Sequence, residues 1–169
     1  AIAIAEKTGV AAKIHIELET GMNRTGFEKT DFDKLAGILK EKSKQLVLKG
    51  ICTHFAGAES LSNFLRVKKQ IKLFNAGVDW FRDQGFSFEY RHACCSAAAM
   101  RFPEMQLDMV RIGIMQYGFW PSPEVFAEFS INQDTASDPL QRLINWRSHV
   151  MSIKDIEPGA YVGYGTSFI

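Results

Sequence analysis

The chain has 169 residues, with 20 Lys and Arg against 19 Asp and Glu, so its formal net charge is only +1. Its 46% apolar and 12% aromatic residues suffice to bury a core and exclude wholesale disorder. The mildly basic stretch from Lys40 to Lys49 reads as a solvated helix end, not a nucleic-acid footprint; no apolar run nears the ~20 residues of a membrane span.

The N-terminus has no basic-then-apolar secretory pattern. Three cysteines, of which Cys94 and Cys95 are adjacent, form neither a disulfide framework nor a zinc spacing, so no metal is expected and a reducing cytoplasm fits. The chain opens on Ala1-Ile2-Ala3-Ile4-Ala5, in the rhythm of a buried helix, and stops in strand-like residues at Thr166-Ser167-Phe168-Ile169. Natural domains tend to end in polar segments, so the expectation is a piece of a longer protein.

After the short leading helix, Ala12 to Glu19 alternates Ile14, Ile16 and Leu18 with His15, Glu17 and Glu19, the period of a strand. Thr30 and Asp31 can cap a helix carrying Phe32, Leu35, Ile38 and Leu39 on one face. Leu46 to Thr53 is a second strand. Ser60 then opens a long helix with Phe64, Val67, Ile71, Phe74, Val78 and Phe81 at helical spacing, ended by Gly85. Phe86 to Arg91 predicts a third strand, Ser96 to Met100 a short helix, and Leu107 to Arg111 a further strand. Strands alternating with helices imply βαβ units and a parallel sheet.

The character changes beyond Ser122. Residues 132–139 form a polar linker, and Trp146 to Ile153 and Tyr161 to Phe168 read as strands joined by the turn Glu157-Pro158-Gly159. The fold expected is α/β: part of a TIM-type (β/α)8 barrel over residues 1–132, then the start of a C-terminal β-domain over residues 133–169.

In such a barrel the polar residues just after each strand form the site. After the first come Glu19-Thr20-Gly21-Met22-Asn23-Arg24-Thr25-Gly26-Phe27, where two glycines bracket an arginine; a plain surface turn would read the same way. After the second comes His54, a structural or a functional histidine. Ser96 can be an N-cap or can hold a phosphate. Arg111, followed by Ile112-Gly113-Ile114, can bind an anion with help from the backbone. Tyr164 stands between Gly163 and Gly165, which also suits a hairpin corner.

In their order these segments resemble the alanine racemase family. Glu19 to Phe27 is similar to the family's "DTGMxRxGF", Thr53 to Ala56 is its "THFA", His92 to Gly118 resembles "HAANSAAxxRFPE…DMVRPGIxxYG", and Val162 to Gly165 is its "VGYG". The resemblance implies an isomerase that interconverts L- and D-alanine with pyridoxal 5'-phosphate by a two-base mechanism, supplying D-alanine for the cell wall as a cytoplasmic homodimer. It implies no nucleic-acid or membrane partner.

By the same resemblance, Ser96 and the backbone N–H groups of Gly113 and Ile114 would hold the cofactor phosphate. Arg111 would face the pyridine nitrogen. Tyr164 would act as acid or base on one face of the substrate in the partner subunit's site, with His54 linking it to Arg111. Arg24 would bond the cofactor's ring oxygen and bias the substrate carboxylate. Many family members carry a carbamylated lysine where Glu17 stands, so Glu17 is expected to orient Arg24 as a ready-made anion. Cys95 stands where the family usually has asparagine. The family's cofactor lysine would lie upstream of Ala1, so the chain alone is expected to be inactive. A serine or broad-specificity racemase of the same fold, or a non-catalytic cofactor-binding barrel, are the other readings. Tyr164 and the strands beyond Ser122 speak against the last.

Overall fold

The computed structural model describes residues 1–133 and 137–162. In chain order these form α1 (Ile2–Thr8), β1 (Ala12–Glu17), α2 (Phe32–Glu41), β2 (Leu46–Cys52), α3 (Phe64–Asp83), β3 (Tyr90–His92), α4 (Ser96–Arg101) and α5 (Pro123–Asn132). The strands build one parallel sheet in the order β1-β2-β3. Parallel neighbours cannot be joined by a tight turn, and α2 and α3 are the crossovers they require. The α/β class with parallel strands expected from the alternation of elements is the one the chain adopts.

Ile16 and Leu18 turn inward from β1 and its end, Leu46 and Ile51 from β2, Phe32, Leu35 and Leu39 from α2, and Val67, Phe74, Val78 and Phe81 from α3. The helical stripe read from the sequence on α3 is thus the buried face, except that Phe64 at its start is about half exposed. The stripe also includes the buried Gln70, whose amide exchanges two 2.9 Å bonds with the backbone of Ala56. A buried amide needs such partners, and here they fix the loop that follows β2. Gly85 ends α3 as expected. Its φ of 87° lets Gly85 N–H reach Arg82 O and Phe86 N–H reach Phe81 O, the paired bonds of a Schellman cap.

Several local expectations differ from the structure. Asp31 directs its carboxylate back to Glu28 N–H at 3.1 Å, and so closes a 3-10 turn (Lys29–Asp31) instead of capping α2. Ser60 likewise heads a 3-10 turn, Leu61–Asn63, and α3 begins only at Phe64. The third strand is confined to Tyr90–His92, because Phe86 turns back onto the end of α3, its ring 5.8 Å from that of Phe81. Residues 107–111 are not a strand. Leu107 has a φ of 51°, and only two main-chain bonds, Asp108 N to Arg91 O and Arg111 N to Cys94 O, tie the segment alongside β3. Residues 146–153 form no strand either; Trp146 and Met151 are almost fully exposed, and pairing is what stabilises a strand. The turn at Pro158-Gly159 is present, with Gly159 at φ 86° and Ala160 N–H on Glu157 O.

Candidate active site

Parallel strands deliver their carboxyl ends to one side of a sheet, and the polar residues singled out in the sequence gather there. Leaving β1, Glu19 bends its carboxylate into the following loop, where it accepts the N–H groups of Gly21 and, at 2.8 Å, Asn23. The loop returns on itself: Phe27 N–H donates to Glu17 O at 2.8 Å and Glu19 N–H to Phe27 O at 3.0 Å. Gly26 is required at this crossing, with φ 109° and a position where a Cβ would lie 2.8 Å from Glu19 N. The result is a compact loop that presents Arg24 outward, exposed to solvent. Glu17 is half-buried, and its carboxylate accepts the hydroxyl of Thr25, the neighbour of Arg24, at 3.1 Å. Among the described residues Glu17 and Arg24 join no ion pair.

At the end of β2, the buried Thr53 donates its hydroxyl to Leu18 O at 2.8 Å and accepts that of Thr20 at 2.7 Å, riveting the ends of β1 and β2 together. His54 follows, half-buried. Across from it lies Arg111, whose Nη2 donates to Thr53 O at 2.8 Å and Ala93 O at 3.2 Å and lies 3.4 Å from His54 Nδ1. Its Nη1 bonds to Nδ1 of His92. Arg111 therefore spans the carboxyl ends of β2 and β3.

Around that fixed cation the two histidines and the Cys52 thiol are pushed toward their neutral forms. Burial, with help from the Arg111 and Arg24 charges, pushes His54 below its ordinary value, Glu17 opposing. Burial likewise pushes His92 down to about 4, aided by Arg111 and His15. The Cys52 thiol is pushed up to about 11 by burial, Arg111 pulling the other way and Glu17 adding to the rise. It is an inert thiol at neutral pH. Glu17, Arg24 and Arg111 thus all lie within electrostatic reach of His54.

Ser96 stands at the start of α4, but Cys95 occupies the cap position and no side chain caps the helix. The buried Ser96 hydroxyl accepts Gly113 N–H at 3.0 Å instead. Ile114 follows at the head of a 3-10 turn, Ile114–Tyr117. Nothing lies within 4 Å of where a Cβ on Gly113 would stand, so Gly113 faces open space while the Ser96 side chain beside it is buried.

A buried Arg101 braces the site from behind. Its Nε pairs with Glu128 of α5 at 2.6 Å, while Nη1 donates to Ala58 O at 2.8 Å and Ser60 O at 2.9 Å, in the loop after His54. Glu124 of α5 accepts from Leu61 N–H and Ser60 Oγ of the same loop.

The structure thus brings together Glu17, His54 and Arg111, with Arg24 on the adjoining loop, and separately pairs Ser96 with Gly113. Tyr164 lies outside the described residues. Sequence reasoning assigned no role to Thr20, Thr53 or His92. For His92 a signal was available, since it precedes the Ala93-to-Ser96 run and shares a strand end with Arg111's partner Ala93. Among the described residues no group of three or more His, Cys, Asp or Glu is placed to hold a metal ion, and no helix is long and apolar enough to cross a membrane.

A parallel α/β sheet with a fixed arginine and a serine–amide pair at its carboxyl edge is the layout of part of an α/β protein whose site lies where its strands end. Residues 1–121 match the family of the alanine racemase N-terminal domain, and the chain belongs to that family. It is 34% identical to an alanine racemase of Leptospira interrogans over 94% of this chain and 40% of that protein. A solved alanine racemase of Bacillus anthracis with bound L-Ala-P superposes on 99% of this chain and 42% of its own, with a TM-score of 0.71 and 29% identity. The alanine racemase of Clostridium difficile 630 does so over 75% of this chain and 34% of its own, at TM-score 0.69 and 32% identity. The chain spans about two fifths of the length of the curated relatives it matches. The fold class is that of these enzymes, of which the chain forms an α/β part.

Proposed function

We propose that this chain is the cofactor-side part of an alanine racemase, with residues 1–132 belonging to its (β/α)8 barrel and residues 133–169 to the start of its β-domain. The observation that carries the reading is the fit between the donor set and pyridoxal 5'-phosphate. Gly113 N–H rests on Ser96 Oγ at 3.0 Å; a phosphate oxygen that replaced this bond would take the amide and the serine hydroxyl as donors, with the Ile114 N–H next in sequence. Arg111 suits the ring nitrogen: it is held on two carbonyls and a histidine, and it donates hydrogen bonds without surrendering a proton. When bound, the cofactor would supply the electron-accepting ring that makes an amino acid's α-proton removable.

The chain's own residues set the terms of that chemistry. Arg111 places a permanent cation at the site but withholds a proton, which keeps the ring a weaker electron sink than a protonated one would be. His54, held neutral by burial and by Arg111, can link that cation to the hydroxyl of Tyr164 contributed by a partner subunit. Arg24 serves the ring oxygen and the substrate carboxylate. Glu17 orients it through Thr25 and the loop, and through its negative charge. The assembly proposed is a cytoplasmic homodimer acting on alanine and supplying D-alanine for the cell wall.

No lysine hydrogen bond or ion pair reaches this cluster among the described residues. As the family resemblance implies, the cofactor lysine is proposed to be supplied by a segment other than those of this chain, and racemisation by this chain alone is not expected. Chiral chromatography of L-alanine and L-serine incubated with cofactor and the longer protein tests this. D-alanine forming fastest is the expected result; faster serine turnover would favour a serine or broad-specificity racemase, and cofactor binding with no racemisation would favour a non-catalytic barrel.

A further inference from the structure

His15 on β1 and His92 on β3 are separated by the whole of β2, about 10 Å at ordinary strand spacing. Yet His15 Nδ1 lies 2.7 Å from His92 Nε2. The space is opened by Gly50. It pairs with His15 on one side and Tyr90 on the other, immediately after the register shift that leaves Lys49 without a β1 partner. A Cβ on Gly50 would stand 2.5 Å from His15 Nδ1 and 2.8 Å from Tyr90 O, so any other residue there would evict the imidazole. The ring crosses β2 through this gap and stacks on Tyr90, centroids 6.0 Å apart and 14° from parallel.

The direction of the hydrogen bonds follows from Arg111, which can only donate. Arg111 Nη1 donates a hydrogen bond to His92 Nδ1, so the neutral His92 carries its own proton on Nε2. That proton points at His15 Nδ1, which must accept it. Without an acceptor at His15, the buried Nε2–H of His92 would lose its partner, and the ring could rotate its Nδ1 lone pair away from Arg111.

We propose that His15 is a positioning residue: seated in the gap at Gly50, it holds the His92 ring so that His92 aims the Arg111 guanidinium. Resting on the racemase reading, this makes His15 a determinant of turnover although it lies a full residue pair below the strand ends.

The test is side-chain nitrogen NMR of this chain without cofactor, on the wild type, His15→Phe and His15→Asn. Phenylalanine keeps an aromatic ring over Tyr90 and removes the acceptor; the asparagine oxygen can accept where Nδ1 stood. His15 is exposed, so both variants are expected to fold. The wild type is expected to show His92 protonated on Nε2 alone and resolved, slowly rotating Arg111 Nη signals. His15→Phe is expected to shift the His92 nitrogens and collapse the Arg111 signals, and His15→Asn to restore both. In the longer enzyme, His15→Phe should lower kcat roughly 10-fold, the scale of one neutral hydrogen bond, with KM little changed and rescue by His15→Asn. Unchanged His92 and Arg111 signals in His15→Phe would overturn the proposal, as would equal losses in both variants. If the NMR pattern holds while the longer protein fails to racemise, the function is misread and the His15 linkage stands.

Discussion

The guanidinium of Arg111 donates to the main-chain carbonyl of Thr53 at 2.8 Å, across 58 residues of sequence. Thr53 is itself riveted to the end of β1 by hydroxyl bonds to Thr20 and Leu18, so the arginine is tied to the ends of all three strands. The site is therefore a property of the sheet's edge, and disturbing its frame should be felt as a loss of chemistry before a loss of fold.

Arg111→Lys tests the fork. A lysine ammonium is one donor atom and cannot span Thr53 O, Ala93 O and His92 together. Losing one charge-assisted bond of about 1.5–3 kcal/mol corresponds to roughly 10- to 100-fold in kcat/KM. Steady-state kinetics of the longer enzyme, beside a thermal melt that moves little, is the check.

Ser96→Ala should weaken cofactor affinity without unfolding the chain, because Ser96 caps nothing and its one bond is to Gly113 N–H. The expected loss is about 1 kcal/mol or somewhat more, near a tenfold rise in the dissociation constant, read by fluorescence titration with pyridoxal 5'-phosphate.

What could be read from residue order, and what could not, divides at long-range pairing. The alternation around Ile14 and Ile16 and the stripe on α3 are local periods, and both elements form. Residues 107–111 and 146–153 carry strand-like residues as well. The first turns at Leu107, and the second finds no neighbour to pair with among the described residues. Motif order carried Ser96, Gly113, His54 and Arg111 to one side of the sheet. The partners of Arg111 were hidden, since Thr53, His92 and Ala93 meet it only after β2 and β3 lie side by side. The bond from Glu17 to Thr25 was equally hidden, because it depends on how tightly the loop closes at Gly26.

The loop that carries Arg24 should fail in acid. Burial tends to raise the Glu19 carboxyl, but the N–H groups of Asn23, Gly21, Met22 and Arg24 outweigh it and hold the group below its ordinary value. A depressed carboxylate stabilises the fold fully above the unfolded-state value of ~4.3, and that contribution fades as pH falls through the lower folded value. The Gly21 and Asn23 amides should stay protected from hydrogen exchange at neutral pH and lose protection in that acid window. In Glu19→Gln they should be less protected at neutral pH already; equal protection in the variant would show that the carboxylate does not organise the loop.

Arg101→Leu should cost stability more than chemistry alone would require. Its side chain is 3% exposed and its removal leaves Glu128 and two loop carbonyls unpaired. Since Glu128 keeps 34% of its exposure to water, the expected cost is about 2–3 kcal/mol, below that of a fully buried pair. Urea unfolding should show a lower midpoint with an unchanged slope, and Glu128→Gln a smaller drop.

The most direct measurement is amide NMR of this chain during titration with pyridoxal 5'-phosphate, following Gly113, Ile114 and Ser96. Saturable shifts at these three amides, lost in Ser96→Ala, are the expected result and identify the serine–amide pair as the phosphate cradle. Saturable shifts elsewhere with these three unmoved would contradict the account.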